Sequence, residues 1–513
     1  MARRPSNRAW AVLRAVVAGL LLAAFLGIGI SLCRRPRAVA NTRWSSLPHP
    51  APLVADGDLA KLRAAARVVA PEIMTHAPDT YDETFTQNPC WRISRQVPGR
   101  TPAGPADPAA GDARDLRCLP AVYLSTHNTG ILSLIKKLAA HPNVVFDAGS
   151  YGVWGASWSF WSEYRNTLEG YLEGIAQGGA TAKKLLVDPA TNIIMDGGLS
   201  TFSLYWAASG KVHTGFSGPA VACWKTCHDA HAGTPQYVTC MDQKCLPQGR
   251  TADHQVARAA GLAYADMQLP MIMRALYGSR PPRLVIMVRD PIERMYSNYM
   301  GVKNVYERYG RTSHGFTLFV NEQLAAWRGC LDGTSERGLN GSAPGPERHT
   351  AEHCYLLFES LSQREEAVFY HCDQLFRGLY APYLKIWLRW LPPSNVLVLK
   401  AEDYWRQPVQ TMNRLLEFMS LPLLPPTLQD TAGGGKAAAG TFPAAGAARR
   451  LPRYISPEDA AAVMAAGPRQ SQADPAGPMA PMARQSLLQF YKPYNAELAE
   501  LLGDPSILEW NQM

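Results

Sequence analysis

One stretch near the middle of the chain places anion-binding residues directly after an apolar run. It reads RLVIMVRDPIERMYSNYM, residues 283–300, and a short apolar run of this kind is typical of a buried strand. Pro291 suits the first turn of a helix that follows the strand. Arg289 is therefore expected at the carboxyl end of a strand, where open α/β sheets bind their ligands. Its guanidinium, the Ser297 hydroxyl and a helix N-terminus suit a phosphate group.

Taken alone, Arg289 and Asp290 are equally consistent with a surface ion pair at an ordinary strand end. The neighbouring segments favour a ligand-binding sheet because strands and helices alternate, which indicates an α/β fold with a mostly parallel sheet. Further strands are predicted at the start of AVYLSTHNTGILSLIKKLAAHPNVVF (121–146), in TNIIMDGGLSTFSLYW (191–206) and in NVLVLKAEDY (395–404). Helices are predicted over 59–69, 257–276, 374–391 and 408–421, and on either side of Pro493 within 485–503.

The composition limits the classes of function. A chain of 513 residues is long enough for one large domain with appendages or for two domains. The hydrophobic share of 47% excludes a largely disordered protein. A formal net charge of +9 favours anionic partners such as phosphorylated cofactors, acidic glycans, nucleic acid or a membrane surface. Nucleic acid is not expected, because the sequence has no zinc finger, RNA-binding signature or concentrated basic run.

The N-terminal region carries a membrane signal. Residues 15–33, AVVAGLLLAAFLGIGISLC, are uncharged and long enough to cross a bilayer as a helix. Arginines flank the run on both sides, so the positive-inside rule favours a cytosolic N-terminus only slightly. A cleaved signal peptide ending at AVA, residues 38–40, is the alternative, but the run is long for a signal sequence. We predict a cytosolic tail over 1–14, an uncleaved transmembrane anchor over 15–33, a stem over 34–80 and a luminal domain over 81–513 with a low-complexity loop at about 431–447.

Cysteine use agrees with a secretory compartment. Of the ten cysteines only Cys33 lies in the apolar run, and the others are expected mostly to form disulfides in an oxidising lumen. The cluster over 223–245 also offers His228 and His231 as metal ligands beside its cysteines, although local disulfides explain it more simply. Asn340 lies in an N-glycosylation sequon, consistent with a surface loop in the lumen.

Five residues of the central stretch match a family motif. The sulfotransferases that use 3′-phosphoadenylyl sulfate (PAPS) carry R-[ND]-P-x-x-R-x-x-S, which is matched here by Arg289, Asp290, Pro291, Arg294 and Ser297. Further stretches, from NPCW at 88–91 to LLQFYKPYNAELAELLG at 487–503, resemble the membrane-bound carbohydrate sulfotransferases in the same order along the chain. The resemblance is strongest to the chondroitin N-acetylgalactosamine 4-sulfate 6-O-sulfotransferase group.

This resemblance implies a P-loop-like sulfotransferase domain with a central, mostly parallel sheet flanked by helices, behind a single N-terminal transmembrane helix. It implies a single-pass type II protein of the Golgi membrane with a luminal catalytic domain. The implied reaction moves a sulfuryl group from PAPS to a hydroxyl of a glycan, such as a sulfated glycosaminoglycan, without a metal. Arg289 and Ser297 would then bind the 3′-phosphate of PAPS.

The family's first motif, the 5′-phosphosulfate loop P-K-x-G-[TS]-T, aligns with residues 127–132. The resemblance assigns Asn128, Thr129 and Gly130 to the 5′-phosphosulfate, since Gly130 permits close backbone approach and a helix N-terminus offers amide groups. However, Asn128 stands where the family has a lysine, and apolar residues replace two hydroxyls. Losing one charged transition-state contact costs about 3–4 kcal/mol. The sequence therefore predicts either compensation by another group or weak activity.

The catalytic base is expected after the helix that ends near His141. Asp147 is the nearest candidate, with Glu163 and Asp196 behind it, and the alternative role for Asp147 is to cap a turn. Remnants of the family's late PAPS loop, or else solvated loop charges, are Lys436, Arg449 and Arg450.

A non-catalytic descendant that binds nucleotide or anionic glycan as a scaffold is the rival hypothesis. The missing lysine favours the scaffold, whereas the intact motif at 289–297 favours retained PAPS binding. A P-loop kinase is not expected, because the sequence contains no G-x-x-x-x-G-K-[ST].

Overall fold

The computed structural model describes eleven segments of the chain, all within one unit that spans Leu47–Met513. The segments are 58–93, 115–146, 160–161, 167–177, 184–199, 201–203, 211–332, 350–356, 374–426, 454–466 and 477–512. Several predicted features lie outside them, including the tail at 1–14, the anchor at 15–33, the base candidates Asp147 and Glu163, the sequon at Asn340, the loop at 431–447, and Arg449 and Arg450. Within these segments no helix combines the length and the apolar character needed to span a membrane.

A parallel sheet of five strands carries the fold. The described segments contain seven strands in two sheets. They are β1 (Cys90–Arg92), β2 (Leu116–Cys118), β3 (Val122–Ser125), β4 (Val144–Val145), β5 (Ile193–Asp196), β6 (Arg283–Val288) and β7 (Val396–Lys400). β1 and β2 form a separate antiparallel pair, and the other strands lie in the order β4-β5-β3-β6-β7. Every neighbouring pair in this larger sheet is parallel. The predicted mostly parallel sheet is confirmed.

Helices cover the sheet and connect its strands. They are α1 (Leu59–Val69), α2 (Pro71–Thr75), α3 (Ile131–Ala139), α4 (Leu168–Gln177), α5 (Thr214–His231), α6 (Pro235–Cys240), α7 (Leu246–Ala259), α8 (Leu269–Tyr277), α9 (Pro291–Gly301), α10 (Lys303–Tyr306), α11 (Ser313–Leu331), α12 (Ala351–Leu356), α13 (Tyr380–Trp390), α14 (Ala401–Arg406), α15 (Pro408–Phe418), α16 (Pro457–Ala465) and α17 (Pro481–Leu502). Three short 3₁₀ segments are Tyr264–Asp266, Pro393–Asn395 and Pro505–Asn511, and a π-helical turn lies at Met241–Cys245.

Alternation along the central strands decides which side chains enter which layer. Val285 and Met287 of β6 share one buried cluster with Leu397 and Leu399 of β7 and with apolar residues of α3 and α15. Residues two apart on a strand point to the same face, so this layer lies on one side of the sheet. Lys400 therefore points to the opposite face from Leu399.

The end of the predicted stem packs on the domain. α1, which matches the helix predicted over 59–69, lies against α8. Arg63 ties the two elements together, because its Nε donates to the Ala275 carbonyl at 3.1 Å and its Nη2 to the Pro78 carbonyl at 2.8 Å. The stem boundary at residue 80 stays a prediction, but residues from Leu59 onward contact the domain.

Three helix predictions are wrong in their boundaries, and one of them is the helix predicted over 374–391, where α13 begins only at Tyr380. The segment 257–276 is not one helix, since α7 ends at Ala259 and α8 begins at Leu269. Gly261 lies between them with φ +69°, a left-handed conformation that ends a helix readily. In contrast, α17 runs unbroken through Pro493. Burial of residues such as Tyr491 and Leu498 on one face of α17 outweighs the hydrogen bond that proline removes.

Disulfides join the cysteines that lie close in sequence. The pairs are Cys90–Cys118, Cys223–Cys245 and Cys227–Cys240. The first pair links β1 to β2, and the other two link α5 to the π-helical turn and to α6. The 223–245 cluster thus contains two local disulfides of the kind that the sequence predicts.

Candidate functional site

Two loops meet at the carboxyl edge of the sheet because β3 and β6 are neighbours. Ser125, the last residue of β3, is in register with Ile286 of β6, so the loop 126–130 lies beside the residues that follow β6. Arg289 Nη1 donates a hydrogen bond of 3.4 Å to the carbonyl oxygen of Asn128. The structure therefore brings together two of the predicted site residues that are 161 positions apart in the chain.

The loop after β3 has an unusual backbone. Thr126, Asn128 and Gly130 have φ angles of +134°, +58° and +95°, values that side chains with a Cβ rarely adopt. The Thr126 hydroxyl holds the loop against the sheet by donating to the Met287 carbonyl at 2.7 Å. The Thr129 hydroxyl is fully buried and lies 3.0 Å from the Thr126 hydroxyl. Thr129 therefore supports the loop with its side chain and has only its backbone to offer a ligand.

Gly130 is the N-cap of α3 and needs its positive φ to begin the helix. A Cβ at this position would lie 3.5 Å from Nε1 of Trp405, the indole of α14. The loop at Gly130 and the indole of Trp405 are thus in close contact.

Arg289 is a half-buried guanidinium without a counterion. Its Cζ lies 5.0 Å from the centre of the Trp405 ring, a cation–π distance. Its Nε is buried and has no hydrogen-bond partner among the described residues, and none of their carboxylates lies within ion-pair distance. Burial lowers the pKa of Arg289 from its ordinary value, although Tyr380 and Glu402 oppose this effect. A charged group held in this way favours binding of an anion.

Asp290 occupies the N-terminus of α9. Its carboxylate accepts hydrogen bonds from the amides of Ile292, at 2.9 Å, and Glu293, at 3.4 Å. These amides are therefore not free to bind a phosphate, contrary to the expectation from sequence. The Asp290 amide itself donates to Glu402 Oε1 at 3.0 Å. Burial raises the pKa of Asp290 to about 6, with a smaller contribution from the charge of Glu293.

Ser297 lies nearly two turns into α9 and is exposed. It makes no hydrogen bond with any residue that the structure describes, so its hydroxyl remains available to a ligand. Its assignment to the 3′-phosphate stays a prediction.

Arg294, the second arginine of the motif, has a structural role that the sequence did not indicate. It is fully buried, and its Nη1 donates to the Gln374 side-chain oxygen at 3.2 Å while its Nη2 donates to the Gln374 carbonyl. It therefore anchors α9 to the segment before α13. His127 lies in the field of Arg294, and burial together with the charges of Arg377 and Arg294 lowers the pKa of the imidazole well below its usual value.

A cleft of about 390 Å³ opens beside Arg289. This volume lies within the range of small-molecule sites. The lining residues include both signs of charge and two indoles, and they are Arg289, Asp290, Glu293, Lys400, Glu402, Trp405, Arg406, Glu509 and Trp510. Sequence reasoning missed Lys400 and Trp405, and the available signal was the lysine that ends the apolar run VLVLK.

Two of the three base candidates, Asp147 and Glu163, lie outside the described residues. Asp196, at the end of β5, is buried, and its two oxygens accept hydrogen bonds from the Tyr171 hydroxyl and from the Gly198 amide. Asp196 is therefore committed to a buried network and is a poor base for an acceptor in solution.

One protein-family model matches part of the chain. The sulfotransferase domain family model matches residues 236–432, which include β6, the motif at 289–297 and β7. The matched residues, which are less than half of the chain, are similar to the sulfotransferase domain family.

The relatives are carbohydrate enzymes by name. Carbohydrate sulfotransferase 15 of Homo sapiens is 25% identical over 398 residues, covering 76% of this chain and 54% of the human protein. The protein of the same name from Mus musculus is 26% identical over 228 residues, covering 43% of this chain and 30% of the mouse protein. The chain thus spans about half the length of the human relative. The resemblance to the carbohydrate sulfotransferase family is confirmed.

The comparison with solved structures includes one sulfotransferase. The crystal structure of a sulfotransferase from Alicyclobacillus acidocaldarius aligns with a TM-score of 0.34 at 15% identity, covering 77% of this chain and 99% of that chain.

Proposed function

We propose that the protein transfers the sulfuryl group of PAPS to a hydroxyl of a glycan acceptor and releases adenosine 3′,5′-bisphosphate. The observation that carries the proposal is Arg289, a half-buried guanidinium without a counterion at the carboxyl end of β6, in hydrogen-bond contact with the loop at Asn128. In open parallel sheets this edge is where ligands bind. The similarity to carbohydrate sulfotransferase 15 supports a glycan, such as a glycosaminoglycan, as the acceptor.

In the proposed complex each side chain has a distinct task. Arg289 and Ser297 bind the 3′-phosphate, and the backbone of Asn128, Thr129 and Gly130 faces the 5′-phosphosulfate. The acceptor oxygen attacks sulfur, the bond from sulfur to the bridging phosphate oxygen breaks, and the acceptor proton passes to a carboxylate. Asp147 is the proposed base.

The proposed location is the Golgi lumen, with residues 15–33 as the membrane anchor. The disulfides Cys90–Cys118, Cys223–Cys245 and Cys227–Cys240 support an oxidising compartment, because reducing cytosol rarely preserves such bonds.

The alternative is a protein that binds the nucleotide without transferring the group. The specific observation in its favour is Asn128, a neutral amide where the family has a lysine. A transfer assay separates the two functions. Purified protein is incubated with radiolabelled PAPS and a panel of glycosaminoglycans, while binding of adenosine 3′,5′-bisphosphate is measured by calorimetry. Transfer to at least one polysaccharide is expected, and tight nucleotide binding without any transfer would favour the scaffold.

A further inference from the structure

We infer that Lys400 supplies the positive charge that the loop at Asn128 lacks, and that its ammonium binds the 5′-phosphosulfate of the donor. This inference rests on the proposed function and deepens it, because it names the residue that compensates for the missing lysine.

The position of Lys400 follows from the sheet. It is the last residue of β7, and its register partner is Val288, the last residue of β6. Val288 directly precedes Arg289 in the chain. Two cations therefore end adjacent parallel strands at the edge where the loop after β3 also lies.

Lys400 is buried without a counterion. It is 8% exposed, and its Nζ donates to the Ser506 hydroxyl at 2.6 Å. No carboxylate of the described segments lies within ion-pair distance of it. The Ser506 hydroxyl in turn donates to the Asp504 carboxylate at 2.6 Å, so a carboxylate reaches Lys400 only through this hydroxyl, and the buried ammonium retains two further N–H donors. Such a group is best explained by an anion that completes its environment.

Some cations of the fold have a carboxylate partner, which Lys400 lacks within the described segments. Buried Arg117 pairs with Glu169 at 2.7 Å, and exposed Lys385 pairs with Glu497.

Lys400 faces the cleft that the loop borders. It lines the same cavity as Arg289 and Trp405. Trp405 in turn closes on the loop, since its Nε1 lies 3.5 Å from the Cβ position of Gly130. The loop also contacts the cavity through Arg289, another lining residue, whose Nη1 donates to the Asn128 carbonyl at 3.4 Å. The ammonium is also the chemical group that the family places in the loop, a compact point charge on a flexible stem.

The other lysines near the loop and the remaining arginine of the cleft are less suitable. Lys137 on α3 donates to the Met464 carbonyl and so points away from the sheet edge. Arg406 at the cleft is 66% exposed and already pairs with Asp403 at 3.6 Å. Of the three cations that line the cleft, buried Lys400 and half-buried Arg289 have N–H donors left for an anion, and Arg289 is assigned to the 3′-phosphate in the proposed function.

Two nucleotides that each carry one phosphate can be used to test the 5′-phosphate and 3′-phosphate positions separately. Binding of adenosine 5′-monophosphate and of adenosine 3′-monophosphate to the full chain is measured by calorimetry. Lys400→Met should weaken binding of the 5′-monophosphate about tenfold or more, because a hydrogen-bonded charge contact is lost. Its effect on the 3′-monophosphate should be less than about twofold. Arg289→Ala should show the reverse pattern.

Two substitutions of the same residue and one elsewhere serve as controls. Lys400→Arg should recover most of the affinity for the 5′-monophosphate, because it keeps the charge. Lys400→Gln keeps a hydrogen-bonding group toward Ser506 and replaces Lys400→Met if that variant does not fold. Lys303→Met removes a lysine that is 74% exposed on α10 and should leave both affinities unchanged.

The outcomes distinguish this inference from the proposed function. Unchanged affinity of folded Lys400→Met or Lys400→Gln for the 5′-monophosphate would overturn the role of Lys400 while leaving the function intact. Equal losses for both nucleotides would also overturn it, because the effect would not be specific to one phosphate. If the unsubstituted protein bound neither nucleotide, the proposed function would fail and this inference with it.

Discussion

Substitution of Arg289 by alanine tests the nucleotide site most directly. In the free protein the guanidinium makes one long hydrogen bond, 3.4 Å to the Asn128 carbonyl, and packs 5.0 Å from the Trp405 ring centre. A cation–π contact at a partly exposed site is worth about 0.5–1 kcal/mol. Arg289→Ala should therefore lower the free energy of unfolding by no more than about 1 kcal/mol, because no ion pair is broken.

The same substitution should have a larger effect on binding. A hydrogen bond from a charged group contributes about 1.5–3 kcal/mol. That range corresponds to a dissociation constant for adenosine 3′,5′-bisphosphate that is roughly 10- to 150-fold higher. The difference between a small loss of stability and a large loss of affinity identifies Arg289 as a ligand contact rather than a support of the fold.

Calorimetric titration of adenosine 3′,5′-bisphosphate measures the affinity, and thermal unfolding measures the stability. Arg308→Ala is the matched control, since Arg308 carries the same charge but is 62% exposed and pairs with Glu322 at 3.0 Å. That control should bind like the unsubstituted protein. Wild-type affinity in a folded Arg289→Ala variant would refute the assignment of the motif to the 3′-phosphate.

Four further predictions follow from the loop, the cap and the predicted sequon. Asn128→Lys alone should slow sulfuryl transfer, because a second ammonium would repel that of Lys400, whereas in a Lys400→Met background it should restore the rate. Initial rates with radiolabelled PAPS measure both effects, and a faster rate in the single variant would contradict the role of Lys400. Gly130→Ala should lower the free energy of unfolding by about 1–2 kcal/mol in urea titrations, because φ is +95° at the N-cap of α3; an unchanged midpoint would mean that the loop relaxes freely. The pKa of Asp290 is raised from 3.8 to about 6 in the folded state, so the folded state keeps this proton to higher pH and stability is lost as the pH rises from about 4 to 6. Relative to Asp290→Asn, the free energy of unfolding of the wild type should fall by at most about 3 kcal/mol across that window, and equal pH dependence of unfolding in the two proteins would refute this. Asn340→Gln should abolish one endoglycosidase-sensitive mobility shift of protein expressed through the secretory pathway, and the absence of that shift from the unsubstituted protein would contradict luminal exposure of the sequon.

Local sequence patterns predicted the elements that bear the site. The apolar run before Arg289 and the proline at position 291 are local signals, and β6 and α9 lie where these signals place them. The loop before α3 was also predictable, because Gly130 precedes an amphipathic helix. These features depend on residues within a few positions of one another, which sequence patterns record well.

Long-range placement could not be predicted in the same way. Lys400 and Trp405 reach the cleft because β7 lies next to β6, and strand order depends on packing of whole helices against the sheet rather than on the strand sequence. The same limit explains α17, where burial along the helix outweighs Pro493. Asp290 caps α9 and accepts hydrogen bonds from its first amides. This interaction is local, but the family motif does not indicate it, because a motif records only the residue type at its second position.

The contact between α1 and α8 has a practical consequence for producing the protein without its N-terminal region. A secreted form that began at residue 81, the predicted start of the luminal domain, would lack α1 and the hydrogen bonds from Arg63 to the Ala275 and Pro78 carbonyls. The apolar surface of α8 that α1 covers would face solvent, and exposed patches of this kind promote aggregation. A truncated form that retains the chain from before Leu59 keeps this layer in place, so the usable cut site lies upstream of α1.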